Sequence, residues 1–183
     1  QRINRCKPFH QKSSNRKNWG IVARSNDQYE NAIIMEPFNL KNVEQAASLL
    51  SDVTSKTPLI LNVQKSNEFD ANIYFKREDL QQVRSYKICG AFNKISSLNE
   101  TELAKGVVCA SAGNHAQGVA YSCFVKKIKG VIFMPTPTPK QKVEQVKMFG
   151  GEWIETILVG DTFDDASKQA ITFQAELECL YLS

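Results

Sequence analysis

An α/β architecture built on parallel strands follows from three features of the chain. Short, wholly apolar segments such as Val107 to Ala110 and Val131 to Met134 read as buried strands. The stretches between them carry apolar residues at helical spacing behind recognisable capping residues. These helical stretches are ten or more residues long, which implies parallel strands joined by right-handed crossovers.

Taken in order, Asn42 can cap a first helix, with Gln45 three residues on and Val43, Ala46, Ala47 and Leu50 forming one face. Ile73 to Lys76 follows as a strand. Ser85 can cap a second helix whose face is Ile88, Ala91, Phe92 and Ile95, although Gly90 inside it costs about 1 kcal/mol relative to alanine. Val107 to Ala110 is the next strand, and the helix after it places Ala116, Val119, Ala120 and Cys123 on one side. Behind the strand Val131 to Met134, the residues Thr138, Pro139 and Gln141 form a helix start. Val143 and Val146 supply that helix's apolar face, and Gly150 is placed to end it. Trp153 to Leu158 is a further strand, and Asp161 or Thr162 starts the last helix. There is no internal repeat and no low-complexity segment.

Composition narrows the function classes. The chain has 183 residues, 42% hydrophobic and 23% charged, which suits one or two small globular domains. No apolar run approaches the roughly 20 residues of a membrane-spanning helix, since Gly130 to Met134 is stopped by Pro135. No membrane partner is expected. Cys6, Cys89, Cys109, Cys123 and Cys179 are widely spaced with no CxxC pair, which argues against a disulfide scaffold and a zinc ribbon. With only His10 and His115, a histidine-rich metal centre is not expected either.

Charge is uneven. Arg2, Arg5, Lys7, Lys12, Arg16, Lys17 and Arg24 occupy residues 1–26 without an acidic residue. Removing these seven from the 23 basic residues leaves 16 against 19 acidic ones, a net charge of −3 for residues 27–183. The chain begins at Gln1, and its first methionine, Met35, directly precedes the first helix signal. Residues 1–34 are read as a basic extension, with three origins open: sequence outside the native coding region, an organellar transit peptide, or a binding arm. A nucleic-acid partner is not expected of the folded part.

In open α/β sheets, ligands bind beyond the carboxyl ends of strands, where helix N-termini present free backbone N–H groups. Two junctions fit. Ser111-Ala112-Gly113-Asn114-His115 follows a strand directly, and its small residues would let backbone approach a carboxylate or phosphate. An ordinary turn capped by Asn114 explains the same residues. Gly113 and Gly118 have phosphate-loop spacing, but Val119 and Ala120 stand where Lys and Ser or Thr are needed, and no GxGxxG occurs, so nucleoside triphosphate and dinucleotide binding are rejected. The second junction is Ser85-Tyr86-Lys87. A lysine in a first helical turn faces the positive end of the helix dipole, which suits a nucleophilic amine and imine chemistry. A lysine that simply points into water is the commoner case. His115 is likewise read as a helix-start hydrogen bonder or a base, and Cys109 and Cys123 as core residues.

The runs Lys76-Arg77-Glu78-Asp79-Leu80-Gln81, Ser85-Tyr86-Lys87-Ile88 and Gly90-Ala91-Phe92-Asn93-Lys94 resemble the cofactor-lysine segment of the serine/threonine dehydratases, which are fold-type II pyridoxal-phosphate enzymes. Ser111 to Gly118 resembles that family's second signature, and Phe133 to Pro139, Gln141, Lys142 and Gly160 to Asp165 continue the likeness. It covers roughly Asn39 to Ala170, and several motifs in family order make it specific.

The resemblance implies an incomplete, three-layer α/β fold of open parallel sheets with helices on both faces, similar to the tryptophan synthase β chain. It implies pyridoxal 5'-phosphate as cofactor and a small amino-acid substrate, threonine or serine. The threonine-specific, isoleucine-pathway branch lies nearest, giving 2-oxobutanoate and ammonia. By the same resemblance Lys87 would be the catalytic residue that bonds the cofactor and moves the Cα proton, Tyr86 would pack beside the cofactor, and Asn114 would reach its ring hydroxyl. Ser111, Ala112, Gly113, Asn114 and His115 would hold the substrate carboxylate. Ala112 cannot transfer a proton, unlike the serine that racemases of this family carry there, and the related sulfhydrylases have a different pattern in this loop.

Cys89 departs from the family, standing where arginine is usual. The glycine-rich phosphate loop and the partner of the pyridine nitrogen are expected after residue 183, so the chain is read as an N-terminal portion, with a catalytically silent remnant as the alternative. Leu177 to Ser183 reads as a different tail. Residues 35–103 are expected to be the start of a large domain and 104–183 most of a small α/β domain; large-domain helices would lack the sheet they should cover, so exposed apolar surface is expected on Ile88, Phe92 and Ile95 unless a partner or a missing segment covers it. A homo-oligomer is expected of the full-length enzyme, in the cytoplasm, or in an organelle should residues 1–26 be a transit peptide.

Overall fold

Two sheets organise residues 39–182, the part of the chain that the computed structural model describes. The basic extension and Met35 lie outside the described residues, which form one compact unit. Their elements run α1 (Leu40–Leu50), β1 (Leu59–Leu61), α2 (Val63–Phe69), β2 (Tyr74–Lys76), a 3-10 turn at Glu78–Leu80, α3 (Lys87–Ser96), α4 (Glu100–Lys105) and β3 (Val107–Ala110). They continue with α5 (Asn114–Lys126), β4 (Gly130–Met134), α6 (Lys140–Gly150), a 3-10 turn at Gly151–Trp153, β5 (Ile154–Leu158), α7 (Phe163–Leu177) and β6 (Leu180–Tyr181).

The larger sheet is parallel throughout, in the order β5-β4-β3-β6. Its residues alternate between two cores, as the pleat requires. Val107, Cys109, Ile132 and Met134 pack with Ile95 of α3, with Ala116, Val119, Ala120 and Cys123 of α5, and with Val143 and Val146 of α6. Val108, Ala110 and Phe133 pack on the opposite side with Ala166 and Ala170 of α7. Helices thus cover both faces, and the anticipated faces of α5 and α6 are the ones buried.

Strand order carries the main consequence for function. From β3 the chain winds outward through β4 to β5 and then returns through α7 to place β6 on the far side of β3. The direction of winding therefore reverses at β3, and a crevice opens beyond the carboxyl ends of β3 and β6. The segment set apart as a different tail belongs to the sheet: Val107 pairs with Leu180 and Val108 with Tyr181, and the Leu182 N–H donates to the Val108 carbonyl at 2.8 Å.

Several local expectations need correction. The first helix is capped by Asn39, whose side chain accepts from the Asn42 N–H at 3.1 Å, so Asn42 lies inside the first turn. Its expected face is not buried, since Val43 and Ala47 are exposed and only Ala46 and Leu50 are half-buried. Ile88, Phe92 and Ile95 are not exposed: their relative exposures are 0%, 4% and 0%. The reason is that α3 packs along α5, with Val83, Leu50, Val53 and Tyr121 closing over Ile88 and Phe92. Apolar exposure lies instead on the separate antiparallel pair β1–β2, where Leu59, Ile60, Leu61, Tyr74 and Phe75 all face outward. Of the two starts left open for α7, Thr162 is the cap, in a capping box where its hydroxyl accepts from the Asp165 N–H and the Asp165 carboxylate accepts from the Thr162 N–H. Those bonds to Thr162 hold the Asp165 carboxyl below its ordinary value.

Candidate functional site

The crevice beyond β3 and β6 holds a cavity of about 390 Å³. Tyr86, Lys87, Ala91 and Lys94 form its α3 wall, His115 contributes from the first turn of α5, and Tyr181 and Leu182 close it from the sheet side. Each wall has a local cause. At Arg84 the backbone turns into the left-handed region, φ 57°, and the Ser85 hydroxyl accepts from the Lys87 N–H at 3.0 Å, supplying one of the bonds that a first helical turn lacks. Lys87 itself is exposed, with its Nζ 5.5 Å from the centre of the Tyr86 ring.

On the α5 side, the Ser111 N–H donates to the Phe133 carbonyl at 3.0 Å, which ties the turn to the neighbouring strand. The Ser111 Oγ accepts from the N–H groups of Gly113 and Ala116, both at 3.3 Å. The Asn114 and His115 N–H groups have no partner among the described residues and stand at the positive end of a 13-residue helix. The His115 Nε2–H donates to the Leu182 carbonyl at 3.4 Å. Burial lowers its pKa from 6.5; the Leu182 bond acts in the opposite direction, and the charge of Lys87 adds to the lowering.

Of the residues singled out in the sequence, Tyr86, Lys87 and His115 meet in the cavity. Ser111, Ala112, Gly113 and Asn114 form the turn that leads into His115 without lining the cavity themselves, and Asn114 is exposed. Lys94, Tyr181 and Leu182 went unnoticed. Lys94 is legible as the residue two helical turns after Lys87 on the same side, whereas nothing local marks Tyr181 or Leu182.

Cys89, at the position where arginine is usual, is partly buried, and its thiol is pushed up by burial and then by the nearby Glu78 charge. Glu78 is held without an arginine: the Thr57 hydroxyl donates to it at 2.6 Å, the Gln81 amide at 3.1 Å, and the Lys76 Nζ lies 3.7 Å away. Among the described residues no cluster of three His, Cys, Asp or Glu could hold a metal ion, and no helix is long and apolar enough to cross a membrane.

A large parallel sheet wound both ways from β3, with a lysine amine at the mouth of a cavity at the switch point, defines the class. Residues 50–183 match the family model described as pyridoxal-phosphate dependent enzyme, and the chain belongs to that family. It is 56% identical over 136 residues to the biosynthetic L-threonine dehydratase IlvA of Halalkalibacterium halodurans and 48% identical over the same length to that of Staphylococcus saprophyticus. These alignments cover 74% of the chain but 33% and 32% of the relatives, so the chain spans about a third of their length. Among solved structures, it matches the processed form of threonine deaminase isoform 2 from Solanum lycopersicum with a TM-score of 0.71 at 38% identity, over 78% of the chain and 41% of that protein. It matches maize serine racemase with a TM-score of 0.73 at 27% identity, over 79% of the chain and 43% of that protein. The fold is thus that of the fold-type II pyridoxal-phosphate enzymes, and the match to the family runs through the segment after Leu177 as well.

Proposed function

We propose that this chain is part of a threonine ammonia-lyase, which eliminates the β-hydroxyl of L-threonine as water and takes one water back when the resulting enamine is hydrolysed, releasing 2-oxobutanoate and ammonia, with L-serine as the alternative substrate. The observation that carries this reading is that Lys87 lines a cavity together with His115, the residue that follows the Ser111–Asn114 turn in the first turn of α5. The site suits pyridoxal phosphate in three respects. It offers an exposed primary amine for an aldehyde, an open volume of about 390 Å³, and an aromatic ring beside the amine. When bound, the cofactor supplies an electron sink for the charge left at the substrate Cα.

Lys87 would hold the cofactor and then, with its amine released by the incoming amino group, take the Cα proton. The Asn114 and His115 N–H groups would bind the substrate carboxylate, and the Ser111 hydroxyl, which accepts two backbone bonds, still has its own proton to donate there. Asn114, exposed at the same helix start, would reach the cofactor's ring hydroxyl. Tyr86 would shield the lysine from water. Ala112 offers no proton to the opposite face of the substrate, which favours elimination over racemisation.

In this reading residues 35–103 belong to the large domain and 104–183 to the small one, the enzyme works as a homo-oligomer, and its compartment is the cytoplasm. The test is the absorbance of the chain with pyridoxal phosphate, beside Lys87→Ala, before and after threonine is added. The expected result is a lysine-bound cofactor band in the unaltered chain alone, altered by threonine as 2-oxobutanoate appears. Identical spectra for the two proteins would refute it and favour a second reading, a catalytically silent remnant.

A further inference from the structure

The carbonyl side of the Lys87–Ile88 peptide lies against α5 at Gly118. A Cβ there would stand 3.0 Å from both the carbonyl carbon and the carbonyl oxygen of Lys87 and 3.2 Å from the Ile88 nitrogen. These are backbone atoms, so no rotamer change relieves the contact, and the first turn of α3 would have to move outward by several tenths of an ångström. The Lys87 N–H, in the preceding peptide, is held by the buried Ser85 hydroxyl. Gly118 is itself fixed, because its carbonyl accepts from the Ser122 hydroxyl at 2.7 Å inside the fully buried part of α5. Gly118 also lies one turn after Asn114, on the same side of the helix.

We propose that Gly118 is a positioning residue: by letting the Lys87 peptide rest directly on α5, it sets the height of the lysine relative to the Ser111–Asn114 turn. The inference rests on the assignment of Lys87 as the cofactor lysine. One helix then carries both the anion-binding turn and the surface against which the lysine is placed, so that α5 sets their separation while the Ser85 hydroxyl holds the lysine against it. An added methyl group would change that separation while leaving the lysine chemically intact.

The test is site-selective labelling. The chain is incubated with pyridoxal phosphate over a range of pH, reduced with borohydride, and mapped by peptide mass spectrometry for the modified share of Lys87 against the other lysines. The variants are Gly118→Ala and, as a control for lost stability, Val146→Ala, which removes buried volume on α6 away from Lys87. The expected result is that the Lys87 share falls about tenfold in Gly118→Ala, since misplacement by a fraction of an ångström is costly. The share in Val146→Ala, compared at temperatures where both variants are folded, should stay as in the unaltered chain. Should Gly118→Ala not fold, Ser85→Ala and Ser85→Thr take its place, with loss expected in the first and retention in the second. An undiminished Lys87 share in Gly118→Ala or Ser85→Ala, or an equal loss in Val146→Ala, overturns the positioning role alone. No preference for Lys87 in the unaltered chain overturns the cofactor assignment, and the positioning role with it.

Discussion

Replacing Ile95 by alanine tests whether α3 is packed as described. Ile95 is fully buried, in the cluster shared by β3, α5 and α6. The substitution removes three methyl or methylene groups at about 0.8 kcal/mol each, and the cavity left in a rigid surround raises the loss to about 3–4 kcal/mol. Against the roughly 5–15 kcal/mol that holds a domain of this size together, this is a large share. It corresponds to a fall in melting temperature of about 10–15 °C. Circular dichroism at 222 nm, recorded against temperature and against urea, measures both quantities. The paired control is Leu59→Ala on the outward-facing β1–β2 pair, 63% exposed, where less than about 0.5 kcal/mol is expected. A loss below about 1 kcal/mol for Ile95→Ala would mean that the helix face is open to water, as the sequence alone suggested, and that the contact between α3 and α5 does not hold in solution.

Two further outcomes concern single side chains. Because burial lowers the pKa of His115 from 6.5, the unfolded chain binds its proton more readily than the folded chain does. The stability from this source is complete above pH 6.5 and is lost as the pH falls through the lower folded value, so denaturant midpoints at pH 7.5 and pH 5.5 should differ, and His115→Gln should narrow the difference. Burial pushes the Cys123 thiol up to about 12 and that of Cys109 further, while Cys89 is only partly buried. Iodoacetamide followed by peptide mapping should therefore find Cys89 modified well before Cys109 and Cys123 in the native protein, with the difference vanishing in denaturant.

The parts of the fold that were legible in the sequence are those where local pattern and tertiary burial agree. Val107 to Ala110 is apolar at every position because both faces of β3 are covered, and Ala116, Val119, Ala120 and Cys123 recur at helical spacing because α5 turns one side to the sheet. Elements of two or three residues left no period to read: Leu59–Leu61 is too short to alternate, and Leu180–Tyr181 is a strand only because Val107 and Val108 present a free edge. Asn42 and Asn39 are equally good caps by composition, and only the chain's course chooses between them. The burial of Ile88, Phe92 and Ile95 is not legible in the sequence because it depends on which helix lies opposite, a fact carried by residues about thirty positions away. For the site, the glycine, serine and lysine chemistry marked both junctions, and family likeness assigned their roles. The far wall at Tyr181 and Leu182 is a product of strand order and had no local sign.

That far wall has a consequence for how the site comes into being during synthesis. Chains acquire structure as they emerge, N-terminal parts first. By the time Leu158 has emerged, β3, β4 and β5 are all available to pair, and Lys87, the Ser111 turn and His115 have long been in place along the chain. The cavity nevertheless lacks a side until α7 has been made and Tyr181 and Leu182 have threaded back beside β3. A nascent chain would thus carry Lys87, the Ser111 turn and His115 for some twenty residues of synthesis before the cavity between them has its far wall, and α7 acts as the delay between the two.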